Sequence, residues 1–166
     1  MRILVTGAAN PFGAAVCEAL AKAGHTVRAF GIPAGVDPFH GADNIECYPG
    51  DVVAGGSIEP VAVECQAIVH CANLDDAGKD KQVQAVRIEA GTRYARYGAE
   101  RELVSHFIAV FPAVPARGMG EATRQAEAHV KATRKLVPHF LLHVASPDEA
   151  ARQVLATLAK ATPIPA

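Results

Sequence analysis

Short apolar runs alternate with longer mixed stretches along the whole chain, and the alternation predicts strands and helices in succession. Residues 2–6 (RILVT) form a nearly continuous apolar run of strand length, the pattern of a strand covered on both faces. Residues 11–23 follow as a helix, with Pro11 suited to its first turn and Gly24 closing it after Lys22. Residues 25–30 (HTVRAF) make a second strand, and residues 31–44, with three Gly and two Pro, read as a loop. A short strand at 45–48 (IECY), a helix near 57–64 and a fourth strand at 67–71 (AIVHC) come next. A long helix over 79–98, rich in Ala, Val and Arg, leads to a fifth strand within 103–111, best placed at 106–110. A helix over 119–135 and a last strand at 139–144 (HFLLHV) follow. The final helix has the clearest start. Ser146 is a good N-cap, Pro147 sits where its missing N–H costs nothing, and Glu149 completes a capping box. The terminal ATPIPA ends it.

Strands and helices in strict alternation predict an α/β fold, a doubly wound parallel sheet with helices on both faces. The expected strand order is 3-2-1-4-5-6, that of a Rossmann fold. Neither a repeat, a low-complexity tract nor a linker interrupts the pattern, so residues 1–166 read as one domain.

Composition narrows the classes. Half of the residues are apolar and 20% are charged, the balance of a globular chain. A net charge of −1 gives no field to attract nucleic acid. Trp is absent and Ala abundant, so aliphatic side chains and closely packed helices build the core. Cys17, Cys47, Cys65 and Cys71 show no C-x-x-C spacing and no zinc-ligand pattern with His, and read as free buried thiols. The chain opens on a strand, and no run approaches the ~18 apolar residues of a membrane span. The expectation is a cytoplasmic protein that engages neither membrane nor metal.

Candidate chemistry starts at the first strand-to-helix turn, Thr6-Gly7-Ala8-Ala9-Asn10-Pro11-Phe12-Gly13. Gly7 permits a tight turn, and Gly13 lets the helix approach the strand. The helix N-terminus then presents N–H groups and a positive dipole end to a pyrophosphate. A strand before and a helix after make this more than a lone glycine pattern.

At these residues the chain resembles the extended short-chain dehydrogenase/reductase family, the nucleotide-sugar epimerase and dehydratase group, with its TGxxGxxG loop. Gly50-Asp51-Val52 resembles the segment after the third strand whose Asp contacts adenine. Ala67 to Asn73 resembles the fourth strand and the turn beneath the nicotinamide ribose. Gly91-Thr92 stands where the family commonly has Gly-Thr, and His143-Val144 with the Asp148 to Ala151 segment resembles a late family motif. The resemblance covers most of the chain and weakens after residue 100. It implies NAD or NADP held at Gly7, Ala9, Asn10, Pro11, Phe12, Gly13, Asp51, Val52, Cys71 and Ala72. It also implies a homodimer through the helices at 79–98 and 119–135, which pack on their copies as four helices in that family.

Several positions depart from the family pattern. The middle glycine is Asn10. Asn tolerates positive φ, but Pro11 pushes the preceding residue toward extended backbone, and the Asn10 side chain stands where a pyrophosphate would approach. Both weaken cofactor binding. Gly31 after the second strand offers neither acid nor base to a ribose, so no preference between NAD and NADP is written there. The catalytic Tyr-x-x-x-Lys is absent: Tyr48, Tyr94 and Tyr97 are the three tyrosines, and none has Lys four residues on. Glu121 and Gln125 fall at the Tyr and Lys positions, and Phe111-Pro112 fall at the serine positions. No catalytic residue is therefore assigned. The family's substrate-binding part is missing as well, since the sixth strand runs straight into the last helix.

Other side chains weigh less. His139 and His143, four apart on a strand, lie about 13 Å apart along it, too far for one metal. His70, beside the expected cofactor crevice, is the one histidine held open for a catalytic role. Asp75–Lys81 reads as a solvated loop and helix start, and Arg93, Arg96 and Arg101 as surface or interface residues. The leading expectation is a non-catalytic dinucleotide-binding protein acting as a sensor or protein-interaction module. The alternatives are an active oxidoreductase or epimerase with unconventional residues, and a ligand-free dimeric scaffold.

Overall fold

The computed structural model describes residues 1–54, 56–74 and 80–160. Twelve elements alternate through it: β1 (Arg2–Thr6), α1 (Pro11–Lys22), β2 (Thr26–Phe30), β3 (Ile45–Tyr48), α2 (Ile58–Ala62), β4 (Ala67–His70), a single 3₁₀ turn (Ala72–Leu74), α3 (Lys81–Glu102), β5 (His106–Pro112), α4 (Gly120–Lys131), β6 (His139–Val144) and α5 (Pro147–Leu158). The six strands form one sheet in the order β3-β2-β1-β4-β5-β6, and every pairing is parallel. The architecture is the predicted single-domain Rossmann fold.

The period-two pattern of the strands sorts the core onto two faces. Ile3 and Val5 of β1, Val69 of β4 and Ile108 of β5 pack with Val16 and Leu20 of α1 and with Val154 of α5. Leu4, Ile68, Phe107 and Phe111 pack on the other face with α2, α3 and α4. Both faces are covered, which is why the strands read as continuous apolar runs.

Caps account for the helix boundaries. Asn10 caps α1, and Ser146 caps α5 by accepting from the Glu149 N–H at 3.1 Å. The return half of the expected capping box differs: Glu149 Oε2 accepts from the Ala145 N–H at 2.7 Å, one residue before the cap. The second helix, expected near 57–64, is shorter because Val63 is extended and Glu64 takes φ +61°. The long helix, expected over 79–98, continues to Glu102, where Leu103 turns left-handed at φ +49° and ends it. Its expected first residues, and most of the charged run Asp75–Lys81, lie outside the described residues, as does the terminal ATPIPA. The helix expected over 119–135 stops at Lys131.

Candidate functional site

Two clefts open at the carboxyl edge of the sheet, on either side of a ridge built from the turn after β1 and the turn after β4. The first, about 240 Å³, is lined by Gly7, Ala9, Asn10, Phe30, Gly31, Gly50, Asp51, Val52, Ala72 and Arg87. It lies where the strand order reverses, between β1 and β4, the crevice in which open α/β sheets bind ligands.

Its walls depend on close backbone approaches. A Cβ on Gly7, at φ +69°, would sit 2.6 Å from the Ala72 nitrogen, and one on Gly13 would sit 2.1 Å from the Gly7 oxygen. These two glycines bring strand, helix and the second turn together.

Asn10 resolves the conflict seen in the sequence. Its backbone is extended (φ −80°, ψ 158°), as Pro11 requires, rather than left-handed. Its carboxamide is not a plug in the cleft. It is drawn inward, 9% exposed, where Oδ1 accepts from the Gly13 N–H at 2.9 Å and Nδ2 donates to the Cys71 carbonyl at 3.1 Å. The residue the sequence marks as an obstacle is a helix cap that ties the two turns together.

Asp51 lines this cleft with its side chain 42% exposed, and it is paired there. Its carboxylate pairs with Arg87 of α3, at 2.7 and 3.1 Å, and also accepts from the Val53 N–H at 3.1 Å. Burial pushes its pKa up, but the bonds to Arg87 and Val53 outweigh that and hold it below the usual carboxylate value. Of the other positions named from the sequence, Gly7, Ala9, Val52 and Ala72 also line this cleft. Phe12 faces the second cleft, Gly13 and Cys71 are buried behind the wall, and Pro11 lines neither. Burial pushes the Cys71 thiol up to about 12, so it stays protonated.

The second cleft, about 210 Å³, is mostly apolar: Phe12, Leu74, Ile88, Pro112, Val114, Ala116 and Met119, with Asn73, Gln84 and Thr123 as its polar members. None of these side chains titrates. The Thr123 hydroxyl donates back to the Met119 carbonyl at 2.8 Å. Glu121, at the position of the family's Tyr, is fully exposed on the first turn of α4 and does not line the cleft. It bonds Arg124, and Gln125 donates to it at 3.2 Å. Arg124, by hydrogen bond and by charge, and then Gln125 hold its pKa below the usual value, so it is ionised. Phe111 is buried.

His70 lines neither cleft. It is fully buried beneath α3, beside Gly91, where a Cβ would lie in ordinary contact 3.6 Å from His70 Cε1. Thr6 Oγ1 lies 2.7 Å from Nδ1 and Thr92 Oγ1 lies 3.3 Å from Nε2. Thr92 has one proton and spends it on Asn73 Oδ1 (2.9 Å) or the Ile88 carbonyl (2.8 Å). Its oxygen therefore accepts from Nε2–H, and Nδ1 accepts from Thr6. Burial, only partly opposed by a hydrogen bond to Asn73, lowers the His70 pKa to about 4, so the ring is neutral. The histidine held open for catalysis is a structural hydrogen-bond relay that ends on Asn73. His139 and His143 take separate partners, the Val137 carbonyl at 3.0 Å and Glu127 at 2.7 Å. Arg93, Arg96 and Arg101 pair with Glu89, Glu100 and Glu59.

Arg87 and Thr123 escaped the sequence reading, and Asn73 was read only as part of the turn after the fourth strand. The available signal was faint: Arg87 lies one turn before Gly91-Thr92 on the same helix.

Solved structures share this fold. The Bordetella bronchiseptica enzyme WbmG, in complex with NAD and UDP, superposes with a TM-score of 0.71 at 20% identity, over 86% of this chain and 52% of that one. A short-chain dehydrogenase/reductase superfamily protein from Agrobacterium tumefaciens with bound NAD gives 0.71 at 22%, over 86% and 48%. The fold is that of the short-chain dehydrogenases and nucleotide-sugar epimerases. Serine dehydrogenase from Escherichia coli matches at 0.77 and 18%, over 97% of this chain and 92% of that one. The chain spans about half the length of the first two. No family model and no curated protein matches the sequence. Among the described residues, no helix is long and apolar enough to cross a membrane, and no group of His, Cys, Asp and Glu could hold a metal ion.

Proposed function

We propose that the chain is a dinucleotide-binding Rossmann protein that takes NAD or NADP in the first cleft and performs none of the fold's usual hydride chemistry. The observation that carries the first half is the glycine-walled cleft at the point where the strand order reverses. The similar Bordetella and Agrobacterium structures hold NAD, which supports the same ligand here. The observation that carries the second half is the lining of the other cleft, where the described residues supply no titratable group. Hydride transfer to or from a carbinol needs a coupled proton transfer, and a positioned acid or base contributes ~10²–10⁴-fold. Glu121 is ionised and faces solvent, Gln125 cannot depress a neighbour's pKa, and His70 is sealed in the core. Binding without turnover suits a sensor or an interaction module.

Thermal-shift and calorimetric titrations with NAD, NADH, NADP and NADPH test the binding, because a ligand of the native state stabilises it by mass action. A rise in melting temperature with at least one of the four is expected, and no shift with any overturns the reading. A stopped-flow search for nicotinamide absorbance change over alcohols, ketones and nucleotide sugars tests the chemistry, with no turnover expected.

A homodimer through α3 and α4 is a second proposal, supported by Val83, Val86 and Tyr97, 50%, 63% and 48% exposed on one face of α3. Sedimentation of a dimer at micromolar concentration is the expected result, and a monomer overturns it.

A further inference from the structure

Asn73 stands between the buried relay and the second cleft. It is 6% exposed and lines that cleft, and on its core side Oδ1 accepts from Thr92 Oγ1 at 2.9 Å. The Val110 carbonyl, 3.4 Å from Nδ2, fixes which way round the carboxamide sits, because a carbonyl can only accept. The nitrogen is therefore turned toward the end of β5, where Pro112 lines the same cleft. Nδ2 carries two hydrogens, and the second has no partner among the described residues. A buried donor without an acceptor is costly, and an acceptor entering the cleft removes that cost.

Thr123 of α4, 5% exposed, supplies the complement. Its hydroxyl proton is given to the Met119 carbonyl at 2.8 Å, which leaves its oxygen as an acceptor. Around these two groups the walls are apolar, with Phe12, Leu74, Ile88, Pro112 and Val114. No described lining residue is charged, so a carboxylate or an ammonium entering the cleft would lose water without gaining a counter-ion.

We propose that the second cleft binds a small neutral carboxamide with an apolar body, whose carbonyl accepts from Asn73 Nδ2 and whose N–H donates to Thr123 Oγ1. The site goes beyond the nucleotide reading and does not depend on it. The relay of Thr6, His70 and Thr92 lies behind Asn73 and holds its carboxamide with the N–H groups toward the cleft. A donor and an acceptor in apolar walls match an amide group, in which one atom accepts and its neighbour donates.

NMR titration of the full chain with three compounds of one shape tests this: hexanamide, methyl pentyl ketone and hexanoate. The ketone keeps the carbonyl and lacks the N–H, and hexanoate is charged at neutral pH. Hexanamide is expected to shift the Asn73 side-chain amide resonance, and hexanoate to bind ~10-fold more weakly or not at all. Thr123→Val keeps the shape and removes the acceptor, so the preference for hexanamide over the ketone is expected to fall ~5-fold, a comparison in which the amide's own desolvation cancels. Asn73→Ala is expected to weaken both neutral compounds several-fold. That variant also disturbs Thr92 in the core, so if it does not fold, the wild-type ranking and Thr123→Val decide the matter. Absence of binding by hexanamide overturns the proposal, and so does hexanoate bound as tightly as hexanamide. An unchanged preference in Thr123→Val overturns the amide assignment. Hexanamide is expected to bind equally with NADH present, and its displacement by NADH overturns a separate ligand. Failure of every dinucleotide to bind overturns the nucleotide reading and leaves this site standing.

Discussion

The two clefts share the ridge of Asn10–Phe12 and Ala72–Leu74, yet opposite kinds of atoms line them. In the first cleft, backbone supplied by Gly7, Gly31 and Gly50 meets one opposed charge pair, Asp51 and Arg87. In the second, apolar side chains from α1, the 3₁₀ turn, α3, the end of β5 and the loop after it surround three neutral polar groups. Binding a nucleotide demands close backbone approach and charge compensation. Moving a proton demands a group that titrates near the working pH. The glycines of the first cleft answer the demand for close backbone approach, whereas a proton-moving group at the second would have to be found at Glu121, Gln125 and Phe111, whose side chains are ionised, uncharged and buried. One edge of one sheet thus carries two clefts of opposite character, and the proposed function rests on that contrast.

Four substitutions, with Gly120→Ala as a control for the first, break or sharpen this contrast in falling order of effect. Gly13→Val places a Cβ 2.1 Å from the Gly7 oxygen, backbone that cannot yield without moving α1 off β1. A loss of about 4 kcal/mol or more is expected by urea denaturation, in the class of core overpacking and strain. Gly120→Ala beside the second cleft meets nothing closer than Arg124 at 3.9 Å and is expected to be neutral or stabilising by up to ~1 kcal/mol. Equal costs at the two glycines would erase the difference in how tightly the walls are built.

The relay behind the ridge gives a pH signature. The folded pKa of His70, about 4, lies below the unfolded value, so the unfolded chain binds the proton first. Its contribution is complete above pH ~6.5 and is lost as the pH falls toward 4. Between pH 7 and 5 the wild type is expected to lose about 2 kcal/mol from this group, and His70→Gln to lose that slope. A variant slope equal to wild type would mean that the ring is not sealed. Asp51, with its pKa depressed, contributes stability above the unfolded carboxylate value and loses it only at lower pH, so the two windows are separable.

Asn10→Ala removes the α1 cap and the tie to Cys71, and costs about 1–2 kcal/mol. Glu121→Gln is the smallest change. The side chain is exposed and absent from the second cleft, so the denaturation midpoint and any nicotinamide turnover are expected to be unaltered. A turnover that disappears with Glu121 would return proton chemistry to that side of the ridge.

Much of the fold is readable along the chain because its determinants are local. The apolar runs of β1, β4 and β5, the Pro11 and Pro147 helix starts and the Ser146 cap each act within a few residues, and alternation of elements leaves few topologies open. Boundaries slipped where a left-handed residue such as Glu64 or Leu103 ends a helix without a glycine to announce it. The candidate site was half readable. Gly7 and Gly13 signal by residue type alone, since a side chain at either would collide. Asn10 was legible as an extended residue before proline, but not as the tie between two turns.

The sequence by itself determined the parallel sheet, the glycine-walled crevice and the absence of a Tyr-x-x-x-Lys pair, because each is a matter of local pattern or of which residue types are present. Only the tertiary structure decided what the polar groups do. Arg87 meets Asp51 from 36 residues away, and Thr6 meets His70 from 64. Such partners are chosen by strand register and helix placement, and a side chain's charge depends on who faces it and how much water it keeps. So the histidine suggested for catalysis became a neutral strut, and an arginine the sequence did not single out became the one cation lining the first cleft among the described residues.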